Sequence, residues 1–138
     1  MADLQRFLDA QEDVITDVYA ELAQGKKQSH WMWFVFPQLT ALGRSITARK
    51  YGIESLDEAK AYLAHGVLRD RLLKCTGLIL KNSGTPIAKI LGSPDDLKFQ
   101  SCMTLFREAE PDIPDFQKAL DAFYSGLPDE QTLTLLNC

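Results

Sequence analysis

The run Ser29-His30-Trp31-Met32-Trp33-Phe34-Val35-Phe36-Pro37-Gln38 constrains this chain more than any other stretch. Both of its tryptophans and two of its seven phenylalanines fall between Trp31 and Phe36. Read as a helix, that segment is apolar on every side; read as a strand, Trp31, Trp33 and Val35 face one way and Met32, Phe34 and Phe36 the other. Either backbone must be buried all round, so the run is expected to nucleate a hydrophobic core. Pro37 sets its far limit, because a proline ring disfavours helical backbone at the preceding residue and a helix here ends or kinks at Phe36. A chain of 138 residues can build such a core, since a domain of this size buries roughly two-thirds of the surface its unfolded chain exposes. One domain over residues 1–138 is expected, folding without metal or disulfide staples.

Around the run, hydrophobic spacing is helical. Val14, Ile15, Val18, Tyr19 and Leu22 recur at three- and four-residue intervals, with Asp13, Asp17 and Glu21 on the other side and Gly25 as a stop. Ser55-Leu56-Asp57-Glu58 has the S-x-x-E pattern of a capping box and predicts a helix from Leu56 to Ala64. Leu68, Leu72, Cys75 and Ile79 mark one face of a helix from Val67 to Lys81, closed by Asn82-Ser83-Gly84. Thr85-Pro86 and Ser93-Pro94 place a capping hydroxyl before a proline, predicting helices near Ile87–Leu91 and from Pro94 to Arg107. A further helix runs from Pro114 to Ser125-Gly126, with a last turn at Thr132–Leu136. No alternating strand pattern, repeat or low-complexity linker interrupts this. The expected fold class is all-α, a compact single domain of about six helices.

No stretch approaches the ~18–20 apolar residues of a membrane span, and Met1–Asp13 is too acidic for a signal peptide. A cytoplasmic protein without membrane contact is expected, with Cys75, Cys102 and Cys138 as free thiols, since they form no C-x-x-C pair. Metal-site spacings, a G-x-S-x-G elbow and both glycine-rich phosphate loops are missing, so neither a metal nor a cofactor is expected and no catalytic residue is assigned. His30 and His65 are the sole histidines. Asp95 and Asp96 read as first-turn residues complementing a helix dipole.

Charge is segregated along the chain. Residues 1–25 carry one basic and six acidic side chains and residues 99–138 two basic and seven acidic, whereas residues 26–50 hold Lys26, Lys27, Arg44, Arg49 and Lys50 with no acid. Either these cations pair with the acidic ends, or they form a local field that attracts an anion. With a net charge of −4, five basic residues make at most a weak, salt-sensitive contact with nucleic acid. The acid-free block coincides with the aromatic run, which suggests a small-ligand site. Trp31 or Trp33 would stack, His30 and Gln38 would hydrogen-bond, Arg44, Arg49 and Lys98 would neutralise charge, and Ser45 and Tyr51 would add polar contacts. Burying His30 or Gln38 beside so many aromatics without a partner would cost on the order of 1–3 kcal/mol, so each needs one.

The aromatic decapeptide, with Leu42-Gly43-Arg44-Ser45, Ser55-Leu56-Asp57-Glu58-Ala59, Gly92-Ser93-Pro94-Asp95-Asp96-Leu97-Lys98 and Ser101-Cys102-Met103-Thr104-Leu105-Phe106, resembles the bacterial and fungal family known as domain of unknown function 1810 over nearly the whole chain. Some members of that family carry the automatic label calpastatin. The resemblance implies a small, mainly helical protein without an established biochemical activity, and it brings no catalytic residue with it. The residues themselves leave two functions open. One is a domain binding a small anionic, nucleotide-like ligand, with or without a reaction after binding. The other is a protein-interaction or scaffold domain in which the aromatic run is only core and the acidic ends form the working surface.

Overall fold

The computed structural model describes residues 4–43 and 45–137. Arg44 and Cys138, both singled out above, lie outside the described residues. The capping serine at Ser55 starts its helix as its sequence pattern requires, its Oγ accepting from the Glu58 N–H at 3.2 Å. The reciprocal bond goes to the Glu54 N–H, at 3.0 Å, one residue earlier than a capping box specifies, because Glu58 also takes the Arg6 guanidinium at 3.2 Å.

Ten α-helices form among the described residues: α1 Gln5–Glu12, α2 Ile15–Ala23, α3 Met32–Val35, α4 Ile46–Lys50, α5 Leu56–Ala64, α6 Gly66–Leu80, α7 Ile87–Leu91, α8 Asp95–Ala109, α9 Pro114–Tyr124 and α10 Glu130–Leu136. A 3-10 turn occupies Thr40–Leu42. The all-α class holds, but the count of about six does not. Helices as short as α3 and α4 span too few residues for a 3.6-residue period to register. The first expected helix is preceded by α1, whose buried face carries a glutamine, Gln11, beside Phe7.

Helices α7 and α8 both begin one residue after their prolines, and neither Thr85 nor Ser93 caps them: Pro86 and Pro94 hold the cap positions with no side-chain hydrogen bond. Helix α8 runs through the centre, with every residue from Ser101 to Phe106 buried, and it packs against α5, α7, α9 and α10. The aromatic run joins this core at Trp31, Met32, Val35 and Phe36, whereas Trp33 and Phe34 stay part-buried, short of the all-round burial expected. It forms one helical turn, leaves helical backbone at Phe36 (φ −123°, ψ 72°) before Pro37, and stacks Phe36 edge-on against Phe99 of α8 at 4.9 Å.

Residues 38–53 make an excursion whose two ends are tied. The Thr40 N–H donates to the Ile53 carbonyl at 2.9 Å and the Ile53 N–H to the Gln38 carbonyl at 2.8 Å, an isolated parallel bridge between Leu39 and Ile53. Gly52 is needed there, because a Cβ would lie 2.5 Å from the Thr40 Cα. Arg6 of α1 clamps the same end, donating to the carbonyls of Lys50 and Gly52, each at 2.8 Å. No helix among the described residues is long and apolar enough to cross a membrane.

Candidate functional site

Glu21 of α2 pins the start of the aromatic run. Its Oε1 accepts from the backbone N–H of Gln28 at 2.6 Å and Ser29 at 3.0 Å and from the Trp31 indole Nε1 at 3.0 Å, while its Oε2 accepts from Ser29 Oγ at 2.7 Å. Partial burial works to raise the pKa of this carboxyl. The hydrogen bonds, all favouring the ionised acceptor, outweigh it and hold the value down at about 2. Lys27 completes the enclosure of Trp31, its ammonium 5.1 Å from the ring centroid and 3.0 Å from Asp95 Oδ2.

Two residues on, Trp33 is only half-buried. Lys98 lies over its ring, 4.8 Å from the centroid, and takes the other oxygen of Asp95 at 3.6 Å. Two lysines on one carboxylate leave the trio with a net positive charge. Trp33 and Lys98 face a cavity of about 570 Å³, within the usual size of small-ligand sites. Gln38 and Ser45 contribute from the excursion, and Pro94, Leu97 and Ser101 from the same face of α8 as Lys98. Asp129 and Gln131, at the start of α10, close the lining.

Hydrogen bonding separates occupied groups from free ones in this cavity. Ser101 Oγ donates to the Leu97 carbonyl at 3.2 Å. Asp129 Oδ2 accepts from Thr132 N at 3.0 Å and Thr132 Oγ1 at 2.6 Å, capping α10. Ser45 Oγ accepts from the Ala48 N–H at 3.0 Å and keeps its own proton to donate. The indole N–H of Trp33 and the side-chain amide of Gln38 make no hydrogen bond among the described residues.

The structure therefore divides the residues singled out from sequence. Trp33, Gln38, Ser45 and Lys98 line one cavity. Trp31 is core, 1% exposed. His30 is exposed, which corrects the expectation that it sits among buried aromatics in need of a partner. Glu21 holds the preceding backbone at the surface, and the chain enters the core only at Trp31. Arg49 does not line the cavity but braces its wall, Nε donating to the Gly43 carbonyl at 3.4 Å. Tyr51 lies in a separate depression with Arg6 and Lys50, its ring 5.3 Å from Phe34. Arg44 lies outside the described residues, between Gly43 and Ser45 in sequence.

Sequence reasoning missed Leu97, Ser101, Asp129 and Gln131. The first two were accessible, since Pro94, Leu97, Lys98 and Ser101 follow the i, i+3, i+4, i+7 spacing of one helix face. The last two arrive by tertiary packing alone. Of the basic block, Lys27 finds its acid in Asp95 of α8, outside both acidic ends. Burial pushes the Cys75 thiol up to about 12 and Cys102 well above its ordinary value, so neither supplies a thiolate. No group of three metal-ligating side chains forms among the described residues.

A family model described as "Protein of unknown function (DUF1810)" matches residues 1–136. Among solved structures, the conserved hypothetical protein Rv1873 from Mycobacterium tuberculosis is similar at 50% identity, covering 99% of this chain and 97% of its own, with a TM-score of 0.97. No curated protein matches.

Proposed function

This chain belongs to the DUF1810 family, and from that premise we propose that the cavity beside Trp33 binds a small anionic, nucleotide-like ligand. One observation carries the reading. A cavity of about 570 Å³ brings together an indole N–H and a side-chain amide that have no hydrogen-bond partner among the described residues, and a lysine whose counter-ion is shared with a second lysine. Groups left unpaired at a cavity wall are disposed to bond an incoming ligand at little cost to the fold. In this reading Lys98 meets the anion, Gln38 and the Trp33 indole orient the ligand by hydrogen bonds, and Ser45 donates its proton. Arg44 and Arg49 are the further cations of the basic block. His30, Trp31 and Tyr51 take no direct part.

The test is the thermal midpoint of the protein against a panel of nucleotides, sugar phosphates and small carboxylates. A ligand that binds only the folded state stabilises it by about 2.7 kcal/mol at a hundred times its Kd, a rise of several degrees. The expected result is a shift with one anion class that disappears in Lys98→Ala and in Arg44→Ala. A flat panel overturns the reading. The cavity rim favours a second one in that event: Leu97 is 58% exposed and Leu135 37%, the latter on an adjoining trough with Ala41 and Leu42, a surface suited to a protein partner.

A further inference from the structure

We propose that Lys98 is a displaceable cover on the face of Trp33, held there by Asp95, and that the cavity consequently selects ligands in which an anionic group is joined to a flat ring. The inference rests on reading the cavity as an anion site and adds what the rest of the ligand must be. Asp95 has two partners of unequal grip. Lys27 lies at 3.0 Å with its side chain only 9% exposed. Lys98 stands at 3.6 Å, beyond the ~2.7–2.9 Å of a charge-assisted hydrogen bond, and is 22% exposed. Lys98 is therefore the partner that leaves. Its departure strands nothing, because Asp95 keeps Lys27.

What the departure uncovers is the ring face of Trp33, on which the ammonium rests 4.8 Å from the centroid. Such a cation–ring contact at a part-exposed site is weak enough for a ligand to displace. A bare anion draws Lys98 away and leaves the indole wet. A bare ring must expel an ammonium that has gained no new partner. A ligand carrying both groups gives the ammonium its anion and re-covers the indole by stacking, so the two contacts reinforce each other.

Two measurements decide this. The first needs no ligand. Trp31 is shut away from solvent, so acrylamide quenching of tryptophan emission reports Trp33, and Lys98→Ala should raise it in a protein whose circular dichroism is unchanged. Trp33→Phe should abolish the difference. The second compares AMP, adenosine and inorganic phosphate by calorimetry. Wild-type protein should bind AMP about tenfold or more tightly than either fragment, in the range of ordinary coupling between sites. Lys98→Ala should erase the advantage of AMP over adenosine, and Asp95→Asn should raise phosphate affinity about two- to fivefold by freeing Lys98. Unchanged quenching in Lys98→Ala overturns the cover, and adenosine binding as tightly as AMP overturns the ligand selection. If none of the three probes binds, the anion reading of the cavity falls and the ligand selection with it, whereas a rise in quenching would still establish the cover.

Discussion

Trp31 and Trp33 stand two residues apart on the same helical turn, yet their surroundings differ in kind. Beside Trp31 the indole N–H is spent on Glu21, Lys27 on Asp95, and the backbone of residues 28 and 29 on the same Glu21 carboxylate. Around Trp33 the indole N–H and the Gln38 amide are unspent among the described residues, and the lysine is loosely held. Burial of an aromatic side chain follows from its apolar area, but whether its polar neighbours find partners within the fold distinguishes a core from a site.

Truncating each tryptophan sets the two regions against each other most strongly. Trp31→Ala should cost about 3–5 kcal/mol, the range for emptying a buried large aromatic position, whereas Trp33→Ala should cost about 1–2 kcal/mol because Trp33 is only part-buried and borders the cavity. Urea titration of both variants measures the gap, and equal costs would erase the distinction. The next effect is in pH. The Glu21 carboxyl is held at about 2 in the folded protein, below its ordinary value near 4.5, so its stabilising contribution is complete above about pH 4.5 and is lost as pH falls from there towards 2. Glu21→Gln should therefore narrow its stability deficit against wild type across that window, as urea titrations at pH 2.5 and pH 6 would show. The smallest effect belongs to Gln38→Ala, which should change stability by less than about 0.5 kcal/mol and be visible only as lost ligand binding.

Much of the helical frame was legible. The helices over Leu56–Ala64 and Ile87–Leu91 match their expected bounds, because a strong cap in one and turn residues flanking an apolar stretch in the other mark both ends locally. Helix α1 and the two short helices α3 and α4 were not, since their placement is imposed by packing and by Arg6 rather than by period. The candidate site was half legible for a related reason. Chemistry clustered in sequence around Trp33, Gln38 and Ser45 did converge, together with Lys98. But the choice between His30 and Gln38, equal brackets of one apolar run, was made by Glu21, a residue on another helix whose role no local pattern announces. Asp129 and Gln131 come from the far end of the chain.

The clamp by Arg6 on the carbonyls of Lys50 and Gly52 reaches across 46 residues of sequence at its longer contact. The 38–53 excursion that builds part of the cavity wall is thus held from the amino-terminal helix as well as by its own Leu39–Ile53 bridge. Trimming the first helix to tidy an expression product would remove that direct tie on the segment that supplies Gln38 and Ser45 to the cavity, and any tag appended at that end belongs among the variables of a ligand assay.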